Sequence, residues 1–301
     1  MSTEGEVFNS LFELQGIKEA IGEYVKSRYR VIPVDGDFVI RKAGRVRRLE
    51  HLMQDYLDWW DADISMDDMA RMVRSAWYFR GVFKNILEFS NVYGILQRMH
   101  REGLLPGARF SWSRVYYVDL RAFSDWEGLR RSFSRNVWKN VRHFRNRLSR
   151  EYGEWSVDRW NDIDGAFRFV MDALQRRFSS DNLGDPSYRF MMHRVIRCLH
   201  ESGLLVPWIL RAGRKVLAVN FIIEKGGIAF SYMAGYDMGS DAYRFLIFHL
   251  IKHYYEKGFR QFNFMKGESR YKTQWTDRFY RLYRVEFPHP VPVKRLISAI
   301  I

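Results

Sequence analysis

Val216-Leu217-Ala218-Val219-Asn220-Phe221-Ile222-Ile223, Lys225-Gly226-Gly227 and Ile228-Ala229-Phe230-Ser231-Tyr232-Met233-Ala234 open the stretch that decides the fold. The first run is almost wholly apolar, as expected for a strand covered on both faces. The Lys-Gly-Gly step signals a hairpin turn. The second run alternates large and small residues, so Ile228, Phe230 and Tyr232 share one face. A glycine-bearing loop follows from Gly235 to Ser240, and Asp241 is the expected N-cap of the next helix. That helix carries Tyr243, Leu246, Ile247, Leu250 and Tyr254 at three- and four-residue spacing, with His249, Lys252, His253 and Glu256 on another face. Gly258 ends it as a C′ glycine. A strand, Arg260-Gln261-Phe262-Asn263-Phe264-Met265, then runs into the polar stretch Lys266-Gly267-Glu268-Ser269-Arg270-Tyr271-Lys272-Thr273-Gln274-Trp275.

Before this core, Arg114-Val115-Tyr116-Tyr117-Val118-Asp119-Leu120 reads as a strand. Ser124 is expected to open one long basic helix to about Tyr152. Phe133, Val137, Val141, Phe144 and Leu148 form its apolar stripe, and Arg135, Lys139 and Arg142 share a neighbouring face. That face is either a solvated basic surface or a wall for an anionic substrate group. Two helices are expected between Asp158 and Gly203, at Ile163–Phe178 and from Asp185-Pro186 to Leu199. Leu204 to Arg211 is a strand returned by Ala212-Gly213. A last strand at Tyr280–Phe287 precedes a tail, 288–301, whose Val293–Ile301 segment is a candidate for peripheral membrane contact.

The N-terminal part is less patterned. Residues 1–30 read as an amphipathic segment, 31–41 as a hairpin about Asp35-Gly36, and 44–49 as a further strand. Asp55 to Asp63 gathers Tyr56, Trp59 and Trp60 among acids. From Asp67 to Met99 the spacing of Met69, Met72, Val73, Trp77, Val82, Ile86 and Phe89 predicts mostly helix. Pro106-Gly107 is the strongest break.

The order strand, loop, helix, strand resembles the core of the GNAT acyltransferase superfamily. The ending Phe262-Asn263-Phe264-Met265-Lys266-Gly267-Glu268, then Tyr271-Lys272, then Trp275 is similar to the branch named for cellulose-biosynthesis acetyltransferases. That branch is similar in turn to the Fem peptidyltransferases, which pair two GNAT-like lobes in one chain. The resemblance is clearest over about residues 115–285. It implies an α+β fold, a GNAT-like mixed sheet with flanking helices in a tandem arrangement with a reduced first lobe. The domains expected are 1–105, the reduced lobe, and 114–287, the acyltransferase domain, followed by the tail.

Acyl transfer needs a positioned nucleophile, a proton acceptor and a stabilised oxyanion. The resemblance also implies two central strands that splay near Tyr232 to admit a carrier-borne carbonyl. Lys272 is then the candidate for neutralising an oxyanion or phosphate, against a plain surface lysine. Glu268 and Asp237 are the general-base candidates, or turn caps. Tyr232 is placed to donate to the leaving group, Tyr271 to contact substrate, and buried Asn220 to hydrogen-bond in a catalytic or structural role. Gly235, Gly239, Ser240 and Arg244 belong to the loop and helix start that hold a pyrophosphate in these folds. Here Asp241-Ala242-Tyr243 replaces the usual glycine-rich pattern, which keeps two donors open: acyl-CoA, acetyl-CoA above all, or aminoacyl-tRNA as in Fem-type enzymes.

Composition bounds the rest. One cysteine, Cys198, excludes a disulfide framework. His249 and His253 stand four apart without an acidic ligand motif, so no metal is expected. No apolar run reaches the length of a spanning helix and no secretory signal is read, so the expected setting is cytoplasmic. A formal charge of +14 with 17% aromatic residues favours anionic partners. The expected reaction is acyl transfer from acyl-CoA to an amine or hydroxyl of a small molecule or glycan, with or without phosphate, in polysaccharide or cell-envelope synthesis. The alternatives are an aminoacyl-tRNA-dependent transferase, whose basic helix would bind RNA, and a degenerate scaffold that only binds.

Overall fold

The computed structural model describes residues 15–28, 30–33, 38–43, 46–51, 66, 69–70, 80–178, 181–237 and 241–287. The Asp55–Asp63 cluster, Gly239, Ser240 and the 288–301 tail lie outside them. Contacts divide the chain into two compact units, 1–113 with 280–301, and 114–279. The sequence reading carries the second domain to 287, but Tyr280 onward groups with the first unit because that strand pairs there.

In the first unit, α1 (Gln15–Arg28) precedes β1 (Arg30–Pro33), β2 (Phe38–Ala43) and β3 (Val46–His51). The hairpin predicted at 31–41 forms, with Arg30 opposite Lys42 and Pro33 opposite Val39, and β3 adds antiparallel to β2. Next come β4 (Arg80–Leu87) and α2 (Asn91–Arg101). Here the helical expectation fails. Val82, Phe83, Ile86 and Leu87 are all buried in a strand that pairs with Tyr280–Phe287. Asn85 takes a left-handed φ of 60°, and the register shifts opposite it between Tyr283 and Val285. A strand already puts residues four apart on one side, and a bulge of this kind adds pairs three apart, such as Phe83 and Ile86 in one core cluster, which together counterfeit helical spacing. Helix α2 starts at Ser90, whose hydroxyl accepts from the Tyr93 amide at 3.2 Å.

Strand β5 (Arg109–Asp119) leads into the second unit, followed by α3 (Trp126–Ser132), α4 (Arg135–Tyr152), β6 (Trp155–Arg159), α5 (Ile163–Arg177), α6 (Asp181–Gly184) and α7 (Pro186–Glu201). Then come β7 (Leu205–Ala212), β8 (Lys215–Lys225), β9 (Ile228–Tyr236), α8 (Ala242–Glu256), β10 (Gln261–Lys266) and β11 (Phe279–Phe287). The strands of this unit lie in the order β5-β10-β9-β8-β7-β6. Only β9 and β10 run parallel; the other neighbours are antiparallel. The architecture is the expected mixed sheet with flanking helices.

Local chemistry accounts for most boundaries. Lys225 pairs with Ile228 across a two-residue turn, and Gly226 and Gly227 supply the positive φ values of 54° and 75° that a tight hairpin needs. The long basic helix is two helices. Asp125, not Ser124, caps α3 by accepting from the Gly128 amide at 2.7 Å, and the chain then breaks at Phe133–Ser134. The break frees the Ser134 amide to donate to the Gln274 carbonyl at 2.8 Å. That bond fastens the start of α4 to the polar stretch after β10. The strand β6, missed in the sequence, is short and polar, as edge strands are. Helix α8 is buried nearly all round, so its histidine face is no solvated surface. His249 packs against Trp155 at 5.6 Å and Phe245 at 4.5 Å, and His253 against Trp208 at 4.6 Å.

Candidate active site

The parallel ladder between β9 and β10 is short. It joins Gln261 to Ile228, Phe262 to Ala229 and Asn263 to Phe230, and then stops, although β9 runs on to Tyr236 and β10 to Lys266. The cause lies in β10. The Asn263 carboxamide oxygen accepts from the Met265 amide at 2.8 Å, Met265 adopts a φ of 56°, and the pairing with β5 shifts register between Asn263 and Lys266. A side chain that bonds two residues ahead turns the backbone out of the strand. On the other side, β9 bulges at Tyr232, which is skipped as Phe221 pairs with Met233 and Ile222 with Ser231.

The parted strands open a cavity of about 640 Å³. Tyr232, Glu268, Tyr271 and Lys272 line it, so four of the sequence candidates meet there. Lys272 is 4% exposed, and its ammonium donates to the carbonyls of Phe264 (2.9 Å), Met265 (2.9 Å) and Lys266 (3.1 Å). An ammonium has three donors, and all three are used. The expectation that Lys272 meets an oxyanion directly gives way to a different geometry: it gathers the carbonyls of the turned-out strand end. Burial pushes its pKa down to about 8; the three carbonyls favour the charged form, so it is an ammonium at neutral pH. Trp275, 1% exposed, anchors the stretch behind it, 5.2 Å from the Phe133 ring.

Asn220 does not line the cavity. It is fully buried on β8, and its amide donates to the Ser231 hydroxyl at 2.9 Å. From Ser231 the chain of contacts continues to the Tyr243 hydroxyl at 3.3 Å and from there to the Tyr271 hydroxyl at 3.4 Å. Asn220 thus reaches the site through other groups. Burial raises the pKa of both Tyr243 and Tyr271, so both remain protonated hydroxyls in the working range. Tyr236 stacks on Tyr243 with centroids 4.9 Å apart.

The remaining candidates stand elsewhere. Asp237 pairs with the Lys215 ammonium at 3.3 Å and is not among the lining residues. Gly235 is a packing glycine: a Cβ there would stand 2.7 Å from the Val170 Cα, so α5 rests directly on β9. Asp241 precedes α8 without capping it, because its carboxylate pairs with the Arg244 guanidinium. Arg135, Lys139 and Arg142 lie exposed on α4, outside the cavity. Conversely, the sequence reading passes over Arg177, Ser231 and Tyr243 as site residues, and all three line the cavity. Of these, Arg177 had a legible signal, the Leu174-Gln175-Arg176-Arg177-Phe178 run that ends a helix before a loop. Among the described residues, no group of His, Cys, Asp and Glu side chains is arranged to hold a metal ion.

Comparison with known proteins follows this geometry. Residues 135–273 match the family described as acetyltransferase (GNAT) domain. No curated protein matches the sequence. Among solved structures, the chain is similar to a conserved protein of unknown function from Bacteroides thetaiotaomicron, with a TM-score of 0.56 and 12% identity over 96% of this chain and 99% of that one. It is similar to the C-terminal domain of a protein designated a lysylphosphatidylglycerol synthetase from Agrobacterium fabrum, with a TM-score of 0.54, 15% identity and 94% of each chain covered. FemX aligns with a TM-score of 0.52 and 10% identity over 99% of each chain. At these identities the likeness is one of fold.

Proposed function

We propose, from the match of residues 135–273 to the acetyltransferase (GNAT) domain family, that this acyltransferase holds its acyl carbonyl in the gap between β9 and β10. What supports the reading is the end of the parallel ladder at Asn263 and Phe230, which leaves strand edges without a strand partner beside a cavity. A gap between two parting strands suits an amide-rich carrier arm, which can lie in it as an extended chain. The donor is acyl-CoA, with acetyl-CoA the first choice, and the acceptor is an amine or hydroxyl.

The steps balance simply. The acceptor heteroatom bonds to the carbonyl carbon, the carbon–sulfur bond breaks, and the acceptor proton ends on the thiolate or on a base. Glu268, exposed at the cavity rim, is the candidate proton acceptor. Tyr232 and Tyr271 are hydroxyl donors for the oxyanion or the leaving sulfur. Lys272 acts through the backbone it gathers, as a positioning residue. A sugar acceptor in envelope or polysaccharide synthesis rests on resemblance.

A second reading, aminoacyl-tRNA as donor, is favoured by one observation. The start of α8, where a pyrophosphate would sit, carries Asp241, and its Arg244 is already engaged by that carboxylate. Calorimetric titration with acetyl-CoA separates the two. Saturable binding supports the first reading. Absence of heat, with charged tRNA retained on a filter, supports the second; failure of both leaves a scaffold that binds without turning over.

A further inference from the structure

Arg177, the last residue of α5, brings a guanidinium to the cavity wall. Its Cζ stands 4.3 Å from the centroid of the Phe178 ring and 4.8 Å from that of Tyr236, and both rings line the same cavity. Ring faces attract the cation but do not take its in-plane hydrogen bonds, so the fork of N–H donors is steadied without being satisfied. The nearest side-chain acceptors before it on α5, Gln175 and Asp172, are spent on another arginine: Arg189 donates to Asp172 at 2.6 Å and to Gln175 at 3.1 Å. The cavity's carboxylate, Glu268, faces the charge of Arg114. Among the described residues, Arg177 has no carboxylate within ion-pair distance and no hydrogen-bond acceptor. Its charge is nonetheless felt in the site. Burial is the main influence on Tyr243 and Tyr271, raising both, and Arg177 is the cation that pulls each of them down.

A planar guanidinium held by aromatic faces, with its donors unspent beside a cavity, is matched to the paired oxygens of a phosphate or carboxylate. We propose that Arg177 anchors an oxyanion group on the acceptor, so that the acceptor is an amine or alcohol carrying phosphate or carboxylate. This rests on the acyl-transfer reading. The acceptor is assigned rather than the donor because Arg177 comes from α5, whereas the phosphates of a coenzyme belong at the N-terminus of α8, the helix that follows the parted strand.

The test compares acceptors under a thiol-release assay with acetyl-CoA: ethanolamine, O-phosphoethanolamine and β-alanine. Wild-type protein favours at least one of the two anionic amines over ethanolamine by about tenfold or more in kcat/KM, the scale of a charge-assisted hydrogen-bonded pair. Which of the two is favoured tells phosphate from carboxylate. In Arg177→Gln the preference falls to about twofold or less. Arg177→Lys, which keeps the charge and loses the fork, falls between. Arg176→Gln, beside it but outside the cavity lining, keeps the preference. An undiminished preference in Arg177→Gln overturns the proposal, as does a raised KM for acetyl-CoA with the acceptor preference intact. If no acceptor turns over, acyl transfer from this donor fails as a reading while the anion site is still measured. Inorganic phosphate and succinate are titrated into wild type and Arg177→Gln and followed by NMR. Loss of binding in the variant then supports the site, and equal or absent binding in both overturns it.

Discussion

Lys272 shows how one side chain can shape a site without reaching into it. Its ammonium satisfies three carbonyls in a row, those of Phe264, Met265 and Lys266, where the chain leaves the sheet. Replacing Lys272 by Met keeps most of the side chain's volume and strands those oxygens. The expected loss is about 2–4 kcal/mol of stability, read from urea unfolding, since buried acceptors without a partner cost about 1–3 kcal/mol each and some will find water. Acyl transfer should fall with it, and Lys272→Arg should recover neither fully, because a planar fork cannot gather three carbonyls about one point. The polar chain behind the cavity is tested by Asn220→Ala. That change removes the amide that donates to Ser231 and should cost about 1–3 kcal/mol. Tyr232, Glu268, Tyr271 and Lys272 were legible in the sequence because three of them sit in one contiguous motif and Tyr232 in the core strand. Arg177 was marked only by the run that ends its helix, and Tyr243 read as part of the apolar stripe of α8; packing brings both to the cavity.

Two elements fix where those side chains stand. Helix α5 lies against β9 so closely that Gly235 has no room for a methyl group, with the Val170 Cα at 2.7 Å and the Ala173 Cβ at 3.0 Å. Gly235→Ala must push backbone, not a flexible side-chain end, and should cost about 1–3 kcal/mol as an overpacked contact. Because α5 also carries Arg177, the same variant should weaken anion binding without touching the anion; phosphate titration of the folded variant checks this. Helix α8 makes a second prediction. Burial holds His249 down to about 4, helped by the charges of Lys252 and Arg145. The unfolded imidazole titrates near about 6.5. Between these values the unfolded chain binds the extra proton, so stability is fully present above about pH 6.5 and drains away as pH falls toward 4, by up to roughly 3 kcal/mol. His249→Phe should flatten that part of the curve, measured as the urea midpoint at about pH 4.5 against pH 7. Sequence spacing had put His249 with Lys252 and Glu256, away from the apolar stripe; only the packing of Trp155 and Phe245 shows that it is dry.

For the molecule as a whole, charge is the property to test first. The formal charge of +14 is partly displayed on α4, where Arg135, Lys139 and Arg142 are exposed on a helix whose apolar stripe is buried. If aminoacyl-tRNA is the donor, glutamate at all three positions should abolish retention of tRNA on a filter, and wild-type retention should fall steeply with salt. Acetyl-CoA binding should be indifferent to the same triple change, since none of the three lines the cavity. Among the described residues no helix is long and apolar enough to cross a membrane. By itself the sequence determined the run of elements from β7 to β10, the glycine turns and the motif after β10, because periodicity and turn chemistry act between near neighbours. It misjudged β4, where a bulge imitates helical spacing, and it could not see the break that ties Ser134 to Gln274. Only the tertiary structure decided that Lys272 faces carbonyls, that β9 and β10 separate after Asn263, and that Arg177 reaches the space between them. Those facts depend on which distant surfaces meet, and burial and charge take their values only once they have met.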